Sequence, residues 1–413
     1  MVTANETAWE GRMAETEQTD PDAFRAEVRA WLEANFPPAL KNAGPPRVDE
    51  NEVPTPDREL WRKRMGEKGW GVPTWPTQYG GGGLSPEQSR IVQQELARLG
   101  AYNPIGGMGV MMFGPTLLEY GTPEQKARHI PPIVRADIRW CQGFSEPGAG
   151  SDLASLQTKA EDKGDHWLVN GQKVWTSGAQ WADWCFCLVR TDATRKHAGI
   201  SFVIFDMKTP GVEVRPIRLI SGASPFCETF LTDVKVPKAN LVGPLNGGWD
   251  VAKRLLQHER TSISGGSAAS GSAPGGSLKD LAERYVGVDA DGRIADADLR
   301  LRILNNEMEA RIFQQTALRI MLEAKSNAGP SLASSILKNA GTRVGQERAE
   351  LAVEIMGHQG LGWEGDSFSP GELQVGRALL YTKAFTIYGG SQEVQSNIIS
   401  KRVLGLPDPP GAA

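Results

Sequence analysis

Cysteine is scarce in this 413-residue chain: Cys141, Cys185, Cys187 and Cys227 are all it has. Four are too few for a disulfide-built scaffold of this length, and they leave the cytoplasm as the expected compartment. The five histidines are scattered without metal-ligand spacing, so no zinc or other metal site is expected. Charge of one sign is missing too. A net charge of -4 and a pI near 5.9 give no basic footprint for nucleic acid or an anionic membrane. No apolar run nears the roughly 18 residues that a bilayer-spanning helix needs. No P-loop occurs, and strands do not alternate with helices, so no Rossmann-type site is expected.

What is present changes character twice. Residues 1–19 are polar and acidic, read as a frayed tail rather than a signal or transit peptide. From 20 to 137 the signals are helical. Asp20-Pro21 reads as an N-cap with proline at the first helical position, followed by an apolar stripe of Phe24, Val28, Trp31 and Leu32. Pro37-Pro38 should stop that helix. Ser85-Pro-Glu-Gln88 and Thr122-Pro-Glu-Gln125 both have the capping-box pattern.

Between 138 and 242 the period becomes that of strands. "HWLVNGQKVWTSG" reads as two short strands around an Asn170-Gly171 hairpin turn. "WCFCLVRT", "ISFVIFDM", "VEVRPI" and "ETFLTDVKVP" follow, as in a small all-β domain or barrel. In the first of these, Cys185 and Cys187 share one strand face and read as buried thiols. From 243 to 413 the pattern is helical again, with helices expected near 296–325, 331–356 and 391–404. The Gly/Ser/Ala segment 264–278 reads either as a linker or as a helix continued with small residues.

Three stretches carry chemistry. "GFSEPGAGSD" (143–152) puts a run of backbone N–H groups on a Gly/Pro loop that can bind a polar ring or a phosphate, or simply turn. "KVWTSGA" adds Trp175 for stacking and Ser177 for hydrogen bonding, although a core Trp is the commoner case. "AFTIYGGSQEVQ" (384–395) breaks at Gly389-Gly390, where the backbone must turn sharply or lie against something.

Together, "GFSEPGAGSDLAS", "VNGQKVWTSGA" and "YGGSQEVQSNIISKRVLGLP" resemble the flavin-dependent acyl-CoA dehydrogenases. The resemblance covers nearly the whole chain. It implies an α+β multidomain fold: an N-terminal α-helical domain, a middle β-barrel domain and a C-terminal four-helix bundle, with FAD at their junction. Gln142, Phe144, Ser145 and Trp175-Thr176-Ser177 match positions that hold the flavin ring, Ser177 at its N5. Ser151 matches a position near cofactor and acyl-CoA, and Gly357, Ser391 and Glu393 match further cofactor positions.

Many members carry a catalytic glutamate where Gly389 stands, so only its backbone N–H, which helps bind the thioester carbonyl, carries over. Glu259 in "LLQHERTSIS" matches the base of isovaleryl-type and several steroid-side-chain-type members, and Arg260 matches the arginine beside it. The other reading is a solvated Glu-Arg pair on a helix. The implied reaction is α,β-dehydrogenation of an acyl-CoA to the 2,3-enoyl-CoA, with an electron-transfer flavoprotein as partner and a homotetramer or α2β2 heterotetramer as the assembly.

Two departures stand out. An Arg-x-x-Phe-Gly-like element is reduced to Tyr285-Val286-Gly287, and Glu354 and His358 replace the Gln and a Gly of a second element. Two other functions stay open: a non-catalytic partner subunit, and a flavin monooxygenase or oxidase on the same fold.

Overall fold

The computed structural model describes residues 20–45, 54–266, 276–324 and 334–407, and, within them, side chains other than those at 259–266, 321–324 and 334. The expected tail at 1–19 lies outside the described residues. The chain forms two compact units: Met1–Val110 with Lys126–Ile138, and Met111–Gln125 with Arg139–Ala413.

In the first unit, α1 (Pro21–Asn35) starts at Asp20, whose carboxylate accepts from the Asp22 N–H, and ends just before Phe36-Pro37. Its Phe24, Val28 and Leu32 are buried. They share a core with Trp61 and Met65 of α2 (Pro56–Lys68) and Ile91, Val92 and Leu96 of α3 (Pro86–Leu99). The Ser85–Gln88 capping box forms in both directions. Beneath it Glu95, 3% exposed, receives Arg25, Arg29 and Arg98 at 3.2, 3.1 and 2.6 Å. These hydrogen bonds, that of Arg29 foremost, hold its pKa down at about 2 against the opposing effect of burial.

The second unit takes in α4 (Gly114–Tyr120), and α5 (Pro123–Val134) runs from one unit into the other. Thr122 and Gln125 exchange capping bonds of 3.0 and 3.2 Å. The strands are β1 (Trp140–Gly143), β2 (Lys159–Asp162), β3 (His166–Ser177), β4 (Trp184–Arg190), β5 (Ile200–Asp206), β6 (Val212–Ile217), β7 (Phe226–Pro237) and β8 (Leu241–Val242). They form one sheet in the order β6-β7-β3-β2-β4-β5-β8, with β1 parallel to β4. Cys141, Cys185, Cys187 and Cys227 are free thiols buried in its core.

The hairpin expected at Asn170-Gly171 is not there: β3 runs through it unbroken for 12 residues. A bulge takes its place, with the register against β7 shifting between Val169 and Gly171. The Asn170 amide pairs with Asp233 on β7, accepting its N–H at 2.8 Å and donating to its carboxylate at 3.0 Å. A Cβ on Gly171 would stand 2.7 Å from the Thr158 Cα, so glycine permits the close approach of the chains.

The C-terminal helices are α6 (Gly248–Gly266), α7 (Leu278–Tyr285), α8 (Ala297–Ala324), α9 (Ser334–Met356), α10 (Pro370–Thr382) and α11 (Gln392–Ile398). The Gly/Ser/Ala segment therefore begins as helix, and residues 267–275 lie outside the described residues. Helices α8 and α9 are antiparallel: Arg302 meets Glu354, Asn306 meets Val344 and Phe313 meets Gly341. Leu299, Ile303, Leu351 and Ile355 form their buried seam. On the other side of α8, Leu301, Leu304, Met308 and Ile312 make an apolar stripe, each more than half exposed. No helix among the described residues is long and apolar enough to cross a membrane.

Candidate active site

The site starts where β1 leaves the sheet. A Cβ on Gly143 would lie 3.0 and 3.1 Å from the Cys187 and Cys185 sulfurs, so the strand passes tightly over β4. Phe144 turns inward, edge-on to Phe186 and Phe202 at 6.0 and 6.1 Å. Reciprocal 3.0 Å backbone bonds between Glu146 and Ala149 then close the Pro147-Gly148 turn.

A residue pair that the sequence reading left without a role holds this loop. The Glu146 carboxylate accepts from the backbone N–H groups of Gln157 and Thr158 (2.6 and 2.8 Å) and from Lys173 (2.8 Å). Lys173 also donates to the Phe144 carbonyl at 3.2 Å. Burial pushes the Glu146 pKa up, but the Lys173 charge and the hydrogen bonds outweigh it and the net shift is downward. Charged residues inside the two flanking motifs were the available signal.

Val174 N–H donates to the Ser145 carbonyl at 2.9 Å, which ties the loop to β3. Immediately beyond, the β3–β7 register shifts again, and Trp175 adopts φ +60°. A bulky side chain rarely takes that conformation, and such strain tends to mark functional positions. Trp175 is 55% exposed and meets Phe226 edge-on at 6.0 Å. Thr176 Oγ1 is buried with no hydrogen-bond partner among the described residues. Gln142, Ser145 and Ser177 are half-buried, and their polar side-chain atoms carry no hydrogen bond among the described residues. Apart from their own chain neighbours, none of the described residues stands within 4 Å of where a Cβ would sit on Gly148 or Gly150. An exposed flat ring, uncommitted polar groups and an open glycine loop thus converge around one bulge. These residues fit a planar, hydrogen-bonding cofactor such as a flavin.

Ser151 lies on the exposed side of the same loop. Behind it, Arg190 donates to four carbonyls: those of Ala154, Leu156, Arg195 and Lys196. Lys196 in turn meets Asp152 at 2.9 Å.

The C-terminal residues form a second group. Gly389 and Gly390 both take left-handed backbone angles, φ +66° and +86°. The Gln395 amide donates to the Gly389 carbonyl at 3.0 Å and sits 2.5 Å from where a Gly390 Cβ would stand. Ser391 then caps α11 by accepting the Val394 N–H, and Glu393 is exposed on the first turn. Gly357, φ +54°, begins the turn after α9 and shares no hydrogen bond with either group among the described residues.

Glu259 and Arg260 fall on α6, and their side chains lie outside the described residues. The turn before them is anchored. Arg254 makes a two-point ion pair with Glu119 of α4 at 2.7 and 2.8 Å, and His258 Nε2 lies 3.4 Å from the same carboxylate. Burial lowers the His258 pKa, with Glu119 opposing it. Sequence reading missed this cluster, although Arg254 and His258 have the i, i+4 spacing of one helix face. The two departures have partners of their own: the Tyr285 hydroxyl donates to Glu372, and Glu354 pairs with Arg302.

Descriptions of the acyl-CoA dehydrogenase N-terminal, middle and C-terminal domains match residues 18–137, 141–234 and 246–404. The chain is 38% identical to acyl-CoA dehydrogenase IpdE1 of Mycobacterium tuberculosis, over 94% of this chain and 98% of that one. Among solved structures it is similar to the ChsE4-ChsE5 complex from Mycobacterium tuberculosis. There the TM-score is 0.73 at 32% identity, covering 97% of this chain and 100% of that one. It is similar also to the Tcur3481-Tcur3483 steroid ACAD, with TM-score 0.73 and 30% identity over 94% and 98% of the two chains. With its three successive domain types and a helix–sheet–helix order to match, this chain belongs to the acyl-CoA dehydrogenase family.

Proposed function

We propose that the chain is an FAD-dependent acyl-CoA dehydrogenase that makes a 2,3-enoyl thioester, with Glu259 as the base. The observation that carries this reading is the β3 bulge, where a strained, exposed Trp175 stands beside Ser177, whose hydroxyl is unpaired among the described residues, and the open 143–152 loop. FAD bound there would supply the two-electron acceptor for the hydrogen lost from the substrate β-carbon. Gln142, Phe144, Ser145, Ser151, Trp175, Thr176 and Ser177 would hold it, with Gly357, Ser391 and Glu393 toward its nucleotide end.

The α-hydrogen of a thioester is a weak acid, so its removal needs a polarised carbonyl and a carboxylate within reach. The Gly389 N–H would polarise the carbonyl oxygen, Glu259 would take the proton and Arg260 would line the substrate side. Enclosure by substrate would raise the affinity of Glu259 for that proton. A glycine at 389 leaves room where a carboxylate would stand, which favours a branched or steroid-derived acyl group. One similar structure is a steroid ACAD by its printed name.

The exposed α8 stripe supports assembly, as a homotetramer or as an α2β2 heterotetramer, and an electron-transfer flavoprotein would take the electrons onward. The reduced element at Tyr285 favours a second reading, a non-catalytic partner subunit. We assign residues 20–137, 138–242 and 243–413 to the three domains, in a cytoplasmic protein whose thiols are free.

The test is anaerobic mixing of the full chain, wild type and Glu259→Gln, with linear, branched and steroid-derived acyl-CoAs while following flavin absorbance. Bleaching by a bulky thioester in wild type alone supports the reading. Equal bleaching in the variant removes Glu259 as base. A chain that holds no flavin until a partner is added supports the second reading.

A further inference from the structure

His258 sits on α6 immediately before Glu259, and the proposed reaction gives it no task. Its Nε2 is shut off from water and has no hydrogen-bond partner among the described residues. The atom lies 3.4 Å from Glu119 Oε1, too loosely placed to bond. Both oxygens of that carboxylate already accept from Arg254, whose third nitrogen donates to the Gln257 amide oxygen at 3.1 Å. The Arg254 and Glu119 charges therefore cancel, and a neutral imidazole stands against a neutral pair.

A proton on that ring changes the balance. It turns Nε2 into a charge-assisted donor to Glu119 and leaves the three groups with one uncompensated positive charge. The side chain is 22% exposed, so solvent protons reach it. Burial lowers its pKa from the ordinary 6.5, Glu119 opposes this and Arg254 adds to it. The charged groups acting on the ring are thus Glu119 from α4 and Arg254 from its own helix, with Tyr120 of α4 acting on Arg254. Strand β5 and helix α9 also pack against α6 and bring no charge to the ring among the described residues. Glu259 and Arg260, next along the helix, are the remaining charges.

We propose that His258 is a proton-operated positioning residue for Glu259: protonated, it closes onto Glu119, draws the α6 turn toward α4 and sets a positive charge beside Glu259. Consecutive helix residues have Cα atoms about 3.8 Å apart and side chains about 100° apart, so the two act on each other through charge rather than contact. A neighbouring cation favours the ionised carboxylate and so weakens it as a base. The reaction would therefore slow in acid before Glu259 itself takes a proton. That consequence rests on Glu259 being the base; the coupling between the two groups does not.

The experiment is a pH titration of the full-length chain, labelled with 13C-histidine and followed by NMR without any thioester. The five histidines give five ring signals, and His258→Gln, or His258→Asn if that variant does not fold, identifies the one in question. Its midpoint should fall by about half a pH unit in Glu259→Gln and by about one or more in Glu119→Gln, each having lost an anion that favours the protonated ring. With an acyl-CoA that bleaches the flavin, the bleaching rate should show a severalfold partial step over the same pH range, absent from His258→Gln. A His258 midpoint that Glu259→Gln leaves unmoved overturns the proposal, as does a ring that stays neutral down to acid unfolding. Bleaching of Glu259→Gln as fast as wild type sinks the base assignment and not the coupling, so the two failures are distinguishable.

Discussion

Lys173 reaches Glu146 across 2.8 Å while both side chains are almost wholly shielded from water, at 1% and 7% exposure. The pair joins the 143–152 loop to the strand that carries Trp175. Removing one partner strands the other charge in the interior, which typically costs about 3–5 kcal/mol. Lys173→Met should therefore lower stability by about that much in urea unfolding, and Glu146→Gln/Lys173→Met should recover part of the loss. A single variant within about 1 kcal/mol of wild type would mean the pair contributes little.

Trp175→Gly separates fold from function. Glycine relieves the φ +60° strain, worth about 1–2 kcal/mol, while little buried surface is lost from a side chain already 55% exposed. Thermal unfolding should stay near wild type or rise, and FAD affinity, followed by flavin fluorescence on dilution, should fall about tenfold or more. Unchanged affinity would remove Trp175 from the cofactor site.

Glu95 predicts a loss of stability in acid. Its pKa is about 2 when folded against an ordinary value of 4.5, so the folded state binds fewer protons. Its contribution is complete above about pH 4.5 and fades as the pH falls toward 2. With the three arginines partly solvated, the effect is on the order of 2 kcal/mol. Glu95→Gln should flatten the pH dependence of unfolding free energy between pH 5 and 2. His129, with its pKa pushed down to about 4 chiefly by burial, adds a loss of the same sign as the pH falls from about 6.5 to 4.

Glu119 is expected to act through position. With Arg254 anchored on α4, the rotation of α6 is set one turn before Glu259. Glu119→Gln should lower kcat severalfold while KM changes little, and Glu119→Asp should restore part of it. A change confined to KM, or to thermal stability, would leave Glu119 a purely structural role.

Much of the architecture was legible because it is locally encoded. Phe24, Val28 and Leu32 repeat at helical spacing, and the Ser85 and Thr122 boxes name their own helix starts. The Asn170-Gly171 dipeptide misled because the partner that makes it a bulge, Asp233, lies 63 residues away. Helix α10 was not anticipated, although Ser369 and Glu372 form a full capping box in front of it. At the site, the motif residues on β1 and β3 do come together around one bulge. The groups that hold them pair across the fold: Glu146 and Lys173 stand as charges inside the two motifs, but their pairing, like the reach of Arg190, is a tertiary contact that local spacing does not give.

Arg190 sets a spacing as well as a contact. All its hydrogen bonds run to main-chain carbonyls, two on the 195–196 loop and the others on Ala154 and Leu156, so the planar guanidinium acts as a ruler between two loops. Carbonyls neither titrate nor gather counterions. The share of this spacing that Arg190 sets should hold constant from low to high ionic strength and across the whole working pH range, where the exposed Lys196–Asp152 pair between the same loops would loosen.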